Sequence, residues 1–167
     1  MLKSQLEQKT NLELKTNIDL SNDLYEIDFY AWTQEQSALL SRGQWQSLDI
    51  ENLVEEIESL GKQQKQELRN RLGVLIGHLL KWEFQPELRG KSWRSTIIEQ
   101  RDRIKLHLKD NPSLKSYLDE AVIEAHRLAL SLVVRETPLD YPDLPSDCPY
   151  AIAQILDPQF PEDLRSR

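Results

Sequence analysis

Arg71, His78, Lys81 and Gln85 follow one another at helical spacing through RNRLGVLIGHLLKWEFQ, and Arg89 and Trp93 come soon after. A histidine among leucines can act as a general base or a ligand. Lys81 and Arg89 are the cations that would hold an anion beside it, and Glu55 or Glu56 is the carboxylate that would orient the imidazole. The candidates for catalysis are therefore His78, Lys81, Glu55 and Glu56, and those for ligand binding are Arg71, Gln85, Arg89 and Trp93. The competing reading is structural: a core histidine with one hydrogen-bond partner, and arginines in salt bridges to acidic helices.

Other constellations offer less. Glu51, Glu55 and Glu58 share one helical face, and clustered carboxylates can bind a hard cation. The same face serves equally as a solvated surface or as partners for basic segments. No Glu-x-x-His pair of the di-iron bundle type occurs. His78, His107 and His126 fall on three different predicted helices with phases that do not converge. Cys148 is the only cysteine, which excludes an internal disulfide and a cysteine-based zinc site. No metal and no cofactor is expected. Trp32, Trp45, Trp82 and Trp93 could stack bases, but their helical positions suit core or rim packing.

The elements that must position these groups are helices. Asp28 can cap a helix over 29–41, with Phe29, Trp32, Gln36, Leu39 and Leu40 on its core stripe and Gly43 as its stop. Asp49 caps the longest one, which Pro86 ends. Its stripe runs Leu53, Ile57, Leu60, Gln64, Leu68, Leu72, Leu75, Leu79, Trp82 in alternating steps of four and three. Phase continuity across Gly61 favours one helix over two. Ser92 caps a third helix to about 109. Asn111-Pro112 starts a fourth, to about 135, with Leu114 through Leu132 as a broad buried face. TPLDYPDLPSDCP is an extended loop, and residues 149–156 form a short closing helix. The fold class is all-α: an antiparallel bundle of four main helices with one long central helix, plus a short C-terminal helix. Residues 1–22 read as a flexible tail, 23–160 as a single helical domain, and 161–167 as a C-terminal tail.

The 167 residues suit one ordinary domain. No apolar run is long enough for a membrane span, and the first residues lack a secretory h-region. A cytoplasmic location without membrane contact is the simplest expectation. The net charge of −7 is uneven. Residues 61–109 carry 12 basic and 5 acidic side chains, between two acidic segments. A basic middle can mark a nucleic-acid surface, or the segments can neutralise one another in the fold.

DFYAWTQEQSALL, ENLVEEIESLG, HLLKWEFQPELRGKSWRSTI, DNPSL and YPDLPSDCPYAIAQILDPQF together resemble domain of unknown function 29, a family described mainly in cyanobacteria. The resemblance spans roughly residues 25–160. It implies an all-helical fold and supplies no catalytic residues. The leading expectation is a protein-interaction or regulatory module, antitoxin-like in kind, rather than an enzyme. Its partner is a protein of unknown identity, and homo-oligomerisation stays open. The alternative is an enzyme or small-anion binder near His78, Lys81 and Arg89. The third is nucleic-acid binding by the basic middle, with affinity falling steeply in salt.

Overall fold

The computed structural model describes residues 24–165, so the expected N-terminal tail lies outside the described residues. Among those described there is no strand. Four main helices follow in order: α1 Phe29–Ser41, α2 Ile50–Phe84, α3 Lys91–Asp110 and α4 Leu118–Glu136. A short α5 spans Ile152–Leu156. The helical-bundle class and the long central helix are as the sequence predicts. The chain divides into two compact units, one ending at Leu60 and one beginning at Gly61.

In the N-terminal unit, Asp28 caps α1 by accepting the Ala31 N–H at 3.0 Å. Gly43 closes it with φ +67, a left-handed angle that suits glycine. Trp32 is the buried anchor, stacked on Phe29 at 5.6 Å and edge-on to Tyr25 at 4.9 Å. Its indole N–H reaches Asp49 Oδ2 at 3.1 Å, and Gln36 Oε1 accepts the Asp49 N–H at 2.9 Å. Asp49 also accepts from the Asn52 backbone and side chain. A buried polar knot of Trp32, Gln36 and Asp49 thus fixes where α2 begins.

The C-terminal unit holds the main core. Leu68, Leu72, Leu75, Ile76, Leu79 and Leu80 of α2 pack with Ile97 and Ile104 of α3 and with Ala121, Ala125, Ala129 and Val133 of α4. The close approach is made by small residues. A Cβ on Gly73 would lie 3.0 Å from Leu128 Cβ and 3.3 Å from the Ala125 carbonyl. One on Gly77 would meet Leu132 Cδ2 at 3.0 Å and the Ala129 carbonyl at 3.4 Å. Two glycines one turn apart therefore face two alanines one turn apart. Gly61, by contrast, has nothing within 4 Å of that position.

A three-variant series tests this arrangement by urea unfolding. Gly61→Ala gains about 1 kcal/mol from helix propensity alone. Gly77→Ala gains less, because the Leu132 tip must move. Gly73→Ala falls below the parent by about 1–3 kcal/mol, because a Cβ and a carbonyl cannot yield.

Several expectations need correction. Pro112 starts a 3-10 helix, Pro112–Tyr117, and α-geometry begins only at Leu118. Asn111 makes no side-chain cap; its amide donates to the His107 carbonyl instead. Gly90, not Ser92, is the N-cap of α3. Phe29 and Leu128 are exposed rather than core. The α2 stripe is deeply buried only from Leu68 onward, whereas Ile57 and Leu60 are 66% and 58% exposed. The proline-rich loop contains a 3-10 turn, Tyr141–Asp143, capped by Asp140. Residues 161–165 are the described part of the stretch expected as a C-terminal tail. Glu162–Arg165 forms a 3-10 helix, and Leu164 is buried in the core.

Candidate functional site

The C-terminal end of α2 carries two separate groups of polar side chains. The first surrounds Lys81, which is only 2% exposed. Its ammonium donates to Glu136 Oε2 at 2.8 Å and sits 4.6 Å from the Trp93 ring centroid. Glu136 is on the last turn of α4, and Lys81 holds its carboxyl below the usual carboxylate range. His78 is buried one turn earlier rather than half-exposed. Its Nδ1 lies 2.9 Å from the Val74 carbonyl, an acceptor only, so Nδ1 carries the proton and donates it. Burial pushes the His78 pKa down, and the Lys81 charge adds to that; the Val74 bond and Glu136 oppose it.

An unfolded histidine protonates near about pH 6.5, while folded His78 does so only at lower pH. Between those values the unfolded state holds the extra proton. Stability therefore falls with falling pH, by up to about 1.4 kcal/mol per pH unit, until folded His78 protonates too. His78→Gln flattens this slope, measurable as the urea midpoint at a series of pH values from 7.5 downward.

The second group forms a cavity of about 430 Å³. Its walls include Trp82, Glu83 and Arg89 from the helix end, and Tyr150, Phe160 and Asp163 from the later chain. Asp163 accepts the Trp82 indole N–H at 2.9 Å and pairs with the Arg89 guanidinium. Arg89 also donates from Nε to the Trp82 carbonyl at 2.6 Å and lies over the Trp82 ring at 5.3 Å. Tyr150 donates its hydroxyl to Glu83 Oε2 at 2.5 Å and meets Phe160 edge-on at 5.5 Å. Burial first, and Glu83 second, push the Tyr150 hydroxyl pKa up, so it stays a neutral donor.

A smaller hollow of about 210 Å³ shares Trp82 and Arg89 with this cavity and adds Gly90, Lys91 and Arg94. His78 and Lys81 line neither hollow.

The sequence candidates are thus distributed. Lys81 bonds Glu136 and lies over Trp93, with His78 within reach of both charges, and Arg89 joins the cavity. Gln85 ends α2, its backbone N–H donating to the Lys81 carbonyl. Arg71 pairs with Glu67 one turn away. Glu55 and Glu56 lie in the N-terminal unit, where Glu56 accepts the Tyr25 hydroxyl at 2.7 Å. That bond is the main reason the Tyr25 hydroxyl is pushed up to about 12. Glu83, Glu136, Tyr150 and Asp163 are candidate-site residues that periodicity does not reveal, because their partners lie 55 to 81 positions away, and Phe160 joins them through its contact with Tyr150.

The other histidines have structural contacts. His107 Nε2 is 2.9 Å from the Gln64 carbonyl. His126 is buried, with Nε2 3.0 Å from the Pro145 carbonyl. Among the described residues, no three His, Cys, Asp or Glu side chains are placed to hold a metal ion. None of the described helices is long and apolar enough to cross a membrane. Among the described residues, at least five of the twelve cations in residues 61–109 form ion pairs with carboxylates of the chain, which reduces the basic surface.

The fold and site together define an all-helical protein with a cavity at the C-terminal end of its longest helix. The chain matches the family model Domain of unknown function DUF29 over residues 24–161 and belongs to that family. No curated protein and no solved structure gives a significant match. The family description names no activity, so every role has to come from the geometry.

Proposed function

We propose that this protein acts as a protein-interaction module, docking a basic amphipathic segment of a partner on its N-terminal unit. The observation that carries this reading is an apolar row on the first turns of α2. Ile50, Val54 and Ile57 recur at i, i+4 and i+7 on one face, and all three are more than half exposed. Leu60 lies beside them. Glu51, Glu55 and Glu58 interleave with the row, and residues 24–60 hold eight acidic side chains against one basic. Exposed apolar positions at helical spacing are the usual anchors of helix-in-groove recognition. The surrounding negative charge selects a positively charged partner and speeds encounter. A regulatory role, of the kind an antitoxin plays toward its toxin, is one form such binding takes.

Cross-linking in native lysate tests it, comparing the parent chain with Val54→Asp/Ile57→Asp. The expected result is one protein joined to residues 50–60 through a net-positive segment, lost in the double variant and weakened by salt. Since both substituted side chains are exposed, the thermal midpoint stays near that of the parent. Cross-links confined to other surfaces, or undiminished in the variant, would overturn the reading.

A second reading, small-anion binding, is favoured by the hollow whose walls gather three cations, Arg89, Lys91 and Arg94, since a concave cluster of one sign of charge attracts the other. Titration with inorganic phosphate, followed at the Trp82 indole N–H signal, tests it. Absence of a shift at low salt removes it.

A further inference from the structure

We infer that the cavity bounded by Trp82, Glu83, Tyr150, Phe160 and Asp163 is a binding site for an organic monocation carrying an ammonium group. This is independent of the interaction reading, which concerns the other unit.

Three observations support it. First, three aromatic rings contribute to the walls, and ring faces attract a desolvated cation. The cavity already shows this preference within the chain, because Arg89 lies over the Trp82 ring. Second, the formal charges on the walls are two carboxylates and one guanidinium. Arg89 is engaged by Asp163 and by the Trp82 carbonyl. Glu83 therefore remains as a carboxylate with no cation of its own among the wall residues. The Tyr150 hydroxyl occupies one Glu83 oxygen as a neutral donor and fixes the carboxylate's orientation. Third, Glu83 belongs to the last turn of a 35-residue helix, and the negative end of the helix dipole favours positive charge there.

A ligand with a single positive charge neutralises the excess, and about 430 Å³ lies within the usual size of a small-molecule site. The ammonium group could belong to a free amine or to a methylated lysine side chain of another protein.

Choline and its neutral isostere 3,3-dimethylbutan-1-ol are the discriminating probes, titrated into the full chain and followed at the ring signals of Tyr150 and Phe160. Choline is expected to shift both rings and to bind about tenfold or more tightly than the alcohol. Glu83→Gln, at an exposed position, should lower choline affinity by a similar factor and leave alcohol binding unchanged. A short glycine-flanked peptide with one trimethyl-lysine separates the sources. Tighter binding than choline assigns the cation to a protein side chain, and weaker binding assigns it to a free amine. Equal affinity for choline and the alcohol would overturn the proposal. So would choline binding that Glu83→Gln leaves intact, or rings that choline leaves unmoved. Phe160→Leu gives an independent check, because choline binding should weaken while Glu83 is untouched.

Discussion

Glu136→Ala is expected to destabilise the protein by about 3 kcal/mol, whereas Lys81→Met changes stability by less than about 1 kcal/mol. The two substitutions break the same 2.8 Å ion pair, yet their consequences differ. Lys81 is enclosed, while Glu136 sits at the rim with its side chain 40% exposed. Removing the carboxylate leaves an ammonium with no counter-charge in a site that water does not reach. Removing the ammonium leaves a carboxylate that solvent can hydrate, and methionine keeps most of the packing against Trp93. The double variant should be no less stable than Lys81→Met alone, which isolates the stranded charge as the cause. The pH dependence follows the same pair. Because Lys81 depresses the Glu136 pKa, the pair's contribution is present above about pH 4.3 and fades as pH falls through the lowered folded value. Lys81→Met should flatten that limb. Urea unfolding of the four proteins between pH 3 and pH 7 measures both effects.

Asp49→Ala is the second large effect, at about 2–4 kcal/mol. Losing the helix cap accounts for about 1 kcal/mol. Stranding the buried Trp32 indole N–H accounts for roughly 1–3 kcal/mol more. Asp49→Asn keeps one side-chain oxygen, enough for the Trp32 indole N–H or for the Asn52 backbone N–H but not both, so its cost should fall between the parent and Asp49→Ala, at about 1–2 kcal/mol. The damage should be local to the N-terminal unit. Amide hydrogen exchange is expected to accelerate over residues 29–60, with the Leu68–Val133 core unaffected. Uniform acceleration through both regions would show that the knot supports the whole chain instead.

These two examples also show what a sequence reveals. Asp49 is legible as a cap because its role is played within four residues, and the same holds for Asp28, Gly43 and Pro86. Helix type and the start of α1 and α2 follow from such local signals. Pro112 misleads because proline at a first helical position suits a 3-10 turn as well as an α-helix. Gly73 and Gly77 give no apolar signal at all. Their importance is that they have no side chain, and it emerges only once Ala125 and Ala129 lie opposite. The α2 stripe is correct in phase but not in burial, since periodicity identifies a face and not what covers it. The end of α2 that carries the candidate site could be pointed to from Arg71, His78, Lys81 and Gln85. Its division into a charged pair under Trp93 and an aromatic cavity under Tyr150 could not. Glu136, Tyr150 and Asp163 reach it from distant parts of the chain, through contacts that no local pattern encodes.

The span between the two walls of the cavity has a consequence for biosynthesis. Trp82 leaves the ribosome 81 residues ahead of the Asp163 that holds its indole N–H. At cellular elongation rates that interval is roughly 4–16 s. A nascent chain that has emerged only to Glu136 already carries the α2, α3 and α4 layers of the core, yet it has no cavity. Ligand capture must therefore wait for residues 150–163, and the helix end with its exposed Trp82 face is open to chaperones until they arrive.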